Sequence, residues 1–176
     1  MLRAGVAERV ITPPLGVPMG GYAGRPGPAR GVHDDLHARA LYLELGGEAA
    51  VLVSLELLYP APELVEAVRG AARRELGVPG DAVMVSAVHT HSGPSMLGLD
   101  SELDRGPLED YWRLVPALVA SAVVEARERA AGVRVRAGAG RLDGWTVNRR
   151  RPQGGPLDNE VPALLFEGCL LYTSDA

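Results

Sequence analysis

The apolar positions of the chain fall into short alternating runs and two longer stretches with helical spacing. Residues Leu2 to Ile11 alternate loosely and stop at Thr12-Pro13-Pro14, where two prolines end any ladder, so this run predicts a first strand. Leu36 to Leu45 and Ala49 to Leu58 are apolar and partly β-branched, joined at Gly46-Gly47, the pattern of a hairpin. Leu64, Val65, Val68, Ala72 and Leu76 recur at helical spacing, which predicts a helix over Pro60 to Leu76 with Pro62 in its first turn and Gly77 as its stop. Ala82 to Val88 returns to the pattern of a buried strand. With Val51 to Leu57 and the helix it makes one βαβ unit, with a right-handed crossover and a parallel strand pair. Leu114, Leu118, Ala122 and Ala126 predict a second helix over Leu108 to Ala131, with Pro116 kinking it or delaying its start. Val133 to Leu142 and Val161 to Phe166 read as further strands. The expected fold is α/β, a mixed β-sheet with flanking helices that contains one βαβ unit.

Between the first strand and the hairpin, Leu15 to Gly31 is crowded with Gly and Pro and has no periodic apolar face. It predicts a long loop, and long ordered loops often carry function.

Composition narrows the classes without naming a chemistry. With 47% apolar and 23% charged residues the chain is an ordinary folded one. A net charge of -4 offers no basic field for nucleic acid, so no nucleic-acid partner is expected. All 18 basic residues are Arg, from which no function follows. No run approaches the roughly 18 apolar residues of a membrane span, and Met1 is not followed by a secretory leader pattern. A cytoplasmic location is therefore slightly favoured. The single cysteine, Cys169, has no partner for an internal disulfide, which fits a reducing compartment.

The four histidines fall in two pairs. His89 and His91 stand in Val88-His89-Thr90-His91-Ser92-Gly93-Pro94, directly after the second strand of the βαβ unit, and ligand sites of open α/β sheets lie outside the carboxyl ends of strands. On an extended backbone, histidines at i and i+2 project to one side, toward one metal ion or toward a metal and its bound substrate. A polar strand end whose imidazoles bond to loop carbonyls fits the same spacing. His33 and Asp34, in Gly31-Val32-His33-Asp34-Asp35-Leu36-His37, suit a ligand with supporting carboxylates or an ordinary solvated turn, and His37 is expected to be structural. Glu56 is a carboxylate in an otherwise apolar strand, either a buried acid near the site or a solvent-facing strand end. The run Asn148-Arg149-Arg150-Arg151 is a solvated loop, or supplies an arginine that clamps a carboxylate or a developing oxyanion.

Taken in order, five segments resemble the amino-terminal part of the neutral/alkaline non-lysosomal ceramidase family. They are Ala7-Glu8-Arg9-Val10-Ile11-Thr12-Pro13-Pro14, Met19-Gly20-Gly21-Tyr22-Ala23, Gly31-Val32-His33-Asp34 running into Ala38-Arg39-Ala40, His89-Thr90-His91-Ser92-Gly93-Pro94, and Asn148-Arg149. Gly155-Pro156-Leu157-Asp158 is a softer sixth. The resemblance implies a zinc hydrolase, with one ion per complete site, that cleaves the amide of an N-acylated sphingoid base. It implies His89 as a metal ligand, and His91 and Arg149 as catalytic and substrate-binding residues; His33, Asp34 and Glu56 are the candidates, from the residue pattern itself, for supporting positions around them. The implied partner is a small N-acyl lipid, with peripheral membrane contact in the complete protein.

The family completes its zinc site with a later His, a Glu and a Tyr, and no histidine follows His91 here. The resemblance therefore implies a partial catalytic domain over residues 1–168, cut short at its C-terminus and inactive by itself. Residues 169–176, Cys169 to Ala176, resemble the translation of a sequencing adapter and are expected to be a non-native tail. The alternative from another class is an α/β binding domain that keeps the fold without a working metal site.

Overall fold

The computed structural model describes residues 1–22, 25, 27–95 and 106–168. The chain divides into two compact units, Met1–Ala131 and Gly132–Ala176. The expected non-native tail at 169–176 lies outside the described residues.

In the first unit, β1 (Arg3–Val10), β2 (His37–Leu45) and β3 (Glu48–Leu55) form an antiparallel meander. After helix α1 (Pro62–Leu76), β4 (Val83–Ala87) adds in parallel to β3, which gives the order β4-β3-β2-β1. The mixed sheet and its βαβ unit are thus as the sequence predicts. Register explains the core: Ala38 faces Leu55, Ala40 faces Val53 and Tyr42 faces Val51 across β2 and β3, and all six are buried. Val51 continues to Val83 on β4, so one face of the sheet is apolar from strand to strand.

That face is covered by α1 and by α2 (Gly106–Glu128), which pack on each other while α2 lies on β1 and β2. Helix α1 begins at a proline and ends at Gly77, whose φ of 70° is the left-handed cap that glycine favours. Pro116 lies inside α2, so the helix neither starts after it nor waits for it. The buried stripe of α2 also differs from the expected one. It runs through Leu108, Tyr111, Val115, Val119, Ala122, Val123 and Ala126, whereas Leu114 is 55% exposed. The apolar positions admit either stripe, and the tertiary partner selects the one holding Tyr111, whose hydroxyl donates to the Ile11 carbonyl at 2.7 Å from a buried position.

Strand β4 is less buried than its apolar run suggests, with Val83 buried and Met84 56% exposed. Strand β3 stops at Leu55, ahead of the expected Leu58. The first residue beyond it, Glu56, ties β3 back to β2. Its backbone N–H donates to the His37 carbonyl at 2.9 Å, while its carboxylate accepts the His37 N–H at 2.8 Å and Arg39 Nη1 at 2.5 Å.

In the second unit, β5 (Ala131–Arg141, reaching one residue across the division) pairs antiparallel with β6 (Glu160–Gly168) from Val133 opposite Gly168 to Arg141 opposite Glu160. The expected alternation Val133, Val135, Ala137, Ala139 does not sort burial, since only Val133 of β5 is half-buried. The connection is held at its base by the Leu142 N–H donating to the Asn159 carbonyl at 2.9 Å.

Two outcomes follow. Gly5 sits where α2 meets β1, and a Cβ there would lie 2.0 Å from the Ala126 carbonyl oxygen and 2.6 Å from the Ala130 nitrogen, both backbone atoms that cannot turn aside. Gly5→Ala should lower stability by about 3 kcal/mol or prevent folding, read by urea denaturation against wild type. The second concerns Glu56. Burial pushes its carboxyl up, but hydrogen bonds and charge from Arg39 and the His37 N–H outweigh this and hold it below the ordinary value of 4.5. A carboxyl depressed on folding contributes stability above its unfolded value and loses it as pH falls through the folded value. Glu56→Gln should therefore cost about 1–2 kcal/mol at pH 7, and its deficit should shrink in melts carried progressively below pH 4.5.

Candidate functional site

Strand pairing carries the histidine segment into place. Beyond the ends of β3 and β4 the two chains stay together, with Val88 N–H donating to the Leu55 carbonyl at 3.0 Å and Thr90 N–H to the Leu57 carbonyl at 3.2 Å. His89 and His91 therefore stand just past the carboxyl ends of two parallel strands, where the sequence places them. The backbone between them is not extended as expected. His89 has φ 63°, the one non-glycine residue with positive φ among the described residues, a conformation costing on the order of 1 kcal/mol.

What the turn accomplishes is seen in the imidazoles. His89 Nδ1 lies 2.8 Å from the Leu58 carbonyl oxygen, which only accepts, so Nδ1 carries the proton and donates. Neutral His89 then has a bare Nε2. His91 Nε2 lies 3.2 Å from it and must supply the proton of that contact, which makes His91 the Nε2–H tautomer. The rings meet edge to face, with centroids 4.9 Å apart and planes at 68°. The two histidines are thus brought together, one presenting a lone pair and the other a donor.

The glycine-rich loop folds over this pair. Gly20 N–H donates to the Gly93 carbonyl at 3.1 Å and Ser95 N–H to the Pro18 carbonyl at 2.7 Å, around a bridge between Met19 and Pro94. Gly21, at φ 97°, packs so closely on His91 that a Cβ would lie 2.5 Å from the ring. Tyr22 meets the same ring edge on, 4.7 Å between centroids at 77°. Arg25 donates to the His91 carbonyl at 2.7 Å and lies 5.2 Å from the centroid of the Tyr22 ring. The importance of Arg25 and of the Leu58 carbonyl was not evident from the sequence: one is a lone charge in a loop, and the other is backbone.

His33, Asp34 and Glu56 gather elsewhere. They border a cavity of about 670 Å³ that touches Thr90 and Ser92 but neither imidazole. His33 Nδ1 and Asp34 Oδ2 are 2.5 Å apart with both side chains exposed, and that hydrogen bond, with the charge of Asp34, raises the His33 pKa. His37 is structural as expected, its N–H and its ring both directed at Glu56. Among the described residues no bond joins His33, Asp34 or Glu56 to His89 or His91.

Arg149 belongs to the second unit, exposed in the connection between β5 and β6. Asn148 shapes its turn: the Asn148 side-chain oxygen accepts the N–H groups of Arg150 and Arg151 at 3.1 and 3.0 Å, and its Nδ2 donates to the Pro156 carbonyl at 3.1 Å.

The donor chemistry of the pair suits zinc, which takes a neutral imidazole through one nitrogen while the other donates to a backbone carbonyl. His89 has that arrangement. Among the described residues no three His, Cys, Asp or Glu side chains gather to hold an ion. No described helix is long and apolar enough to cross a membrane.

No protein-family model matches the chain, and no curated protein does. Solved structures do. The neutral ceramidase of Pseudomonas aeruginosa superposes with a TM-score of 0.79 at 23% identity, over 94% of this chain and 29% of that one. A ceramidase complexed with C2 gives 0.77 at 24%, over 94% and 28%. At this identity the likeness is one of fold, and by fold this chain corresponds to a part of the neutral ceramidases, less than a third of their length.

Proposed function

We propose that the chain is a fragment of a zinc-dependent amide hydrolase acting on N-acyl lipids of the ceramide kind, inactive as the 176 residues alone. One observation carries this reading: at the end of a ceramidase-like parallel strand pair, His89 shows a bare Nε2 and His91 an Nε2–H donor 3.2 Å away.

In this reading His89 holds the ion through Nε2, its ring fixed by the Leu58 carbonyl. A bound zinc would supply a Lewis acid and a water acidic enough to attack near neutral pH. The rest is the work of the protein. With His89 Nε2 given to the ion, the His91 Nε2 proton is released from its contact with His89 and turns to the amide oxygen, where it stabilises the negative charge that grows on attack, while Gly21 and Tyr22 pack against the ring. Arg149, presented by the Asn148 turn, binds and polarises the reacting group. His33, Asp34 and Glu56 act at a remove, as supporting residues that border the cavity beside Thr90 and Ser92. The substrate is a small N-acyl lipid.

The test compares this chain with the gene product read through beyond Gly168, each as wild type and as His89→Ala. The read-through protein should hold one zinc and hydrolyse N-acylsphingosine. His89→Ala should lose the metal and on the order of a thousandfold in kcat/KM, the several kcal/mol that a Lewis acid contributes. A read-through protein that binds no zinc and cleaves nothing would make this an α/β binding domain instead.

A further inference from the structure

Arg25 is half-buried in the glycine-rich loop, yet the described contacts of its guanidinium include no carboxylate. Nη2 donates to the His91 carbonyl at 2.7 Å, Nη1 lies 3.2 Å from the Met19 sulfur, and the guanidinium carbon is 5.2 Å from the Tyr22 centroid. Three residues from two separate segments thus converge on one planar cation. An arginine fork can do this because its donors diverge in a fixed plane whose face also attracts an aromatic ring.

The geometry has a direction. Tyr22 and His91 meet as a T-shaped pair, and Arg25 touches both Tyr22 and the His91 backbone. The imidazole is therefore held at its main chain by Arg25 and at its ring by Tyr22, which Arg25 itself holds. Gly21 permits this closeness, since any Cβ there would enter the ring. His89 meets the same ring, with centroids 4.9 Å apart. We infer that Arg25 is a positioning residue, which sets the orientation of the His91 imidazole by gripping the His91 carbonyl and seating Tyr22 against the ring.

The orientation of His91 can be read without metal or substrate. An aromatic ring 4.7 Å away displaces the imidazole C–H resonances of His91 in the proton NMR spectrum of the 176-residue chain, and Tyr22→Leu removes that displacement. Arg25→Met should move the His91 resonances toward their Tyr22→Leu positions. Arg25→Lys, which keeps a cation and one set of donors, should bring them at least half of the way back. His91 resonances unmoved in Arg25→Met would overturn the inference. So would an Arg25→Lys spectrum indistinguishable from that of Arg25→Met, and this comparison still decides if the methionine variant melts early.

The consequence for catalysis rests on the hydrolase reading above. In the read-through gene product, Arg25→Met should lower kcat about tenfold to a hundredfold with zinc content unchanged and KM little changed, since misplacement of a group by about 1 Å costs that much. An unchanged kcat would overturn the catalytic part. If neither wild type nor variant hydrolyses the amide, the hydrolase reading fails while the spectra of the metal-free chain still decide whether Arg25 positions His91.

Discussion

The proton that His89 Nδ1 gives to the Leu58 carbonyl decides everything downstream of it. In neutral His89 it leaves Nε2 bare, and the neighbouring His91 then approaches as the donor. It exists because β3 and β4 run parallel and remain paired past their ends, so that the Leu55, Leu57 and Leu58 carbonyls lie along the segment that leaves β4. Two of these carbonyls take backbone N–H groups, and the third takes the imidazole.

The positive φ of His89 belongs to the same constraint. At this left-handed residue the ring Nδ1 meets the Leu58 carbonyl at 2.8 Å, and that hydrogen bond is of the same order as the strain, about 1 kcal/mol. The strained residue is thus tied in place by the bond that its strain makes available.

Much of this architecture was legible in the sequence because it follows from periodicity and punctuation. The hairpin at Gly46-Gly47, the helix closed by Gly77 and the parallel pair after it each follow from a local pattern, and the histidine pair was legible at the carboxyl end of β4. What was illegible depended on partners distant in sequence. Leu114 and Val115 are equally apolar, and only the elements packed against α2 decide that Val115 is buried. The alternation of β5 follows the rule for a strand with one buried face, yet neither of its faces is buried. Convergence of the two imidazoles was foreseen, but for a different reason, since an extended backbone was expected and a left-handed one is found. Nothing in the sequence marks the Leu58 carbonyl, because a backbone acceptor has no residue type of its own.

The glycine-rich loop shows how far two segments constrain one another. Gly20 lies 3.2 to 3.3 Å, measured at a built Cβ, from Leu58 Cδ2, the Pro94 oxygen and Ser95 Cα, and Gly21 lies closer still to the His91 ring. The first contact reaches the residue whose carbonyl fixes His89, and the second reaches His91 itself. Gly20 therefore marks a tight approach to the histidine segment, and Gly21 one that no side chain would permit. Small residues bring the loop in, and the guanidinium of Arg25 supplies the polar contact that glycine cannot. Absence of side chains at two positions and one long side chain four residues further on are thus complementary parts of a single device, and each would lose its purpose without the other.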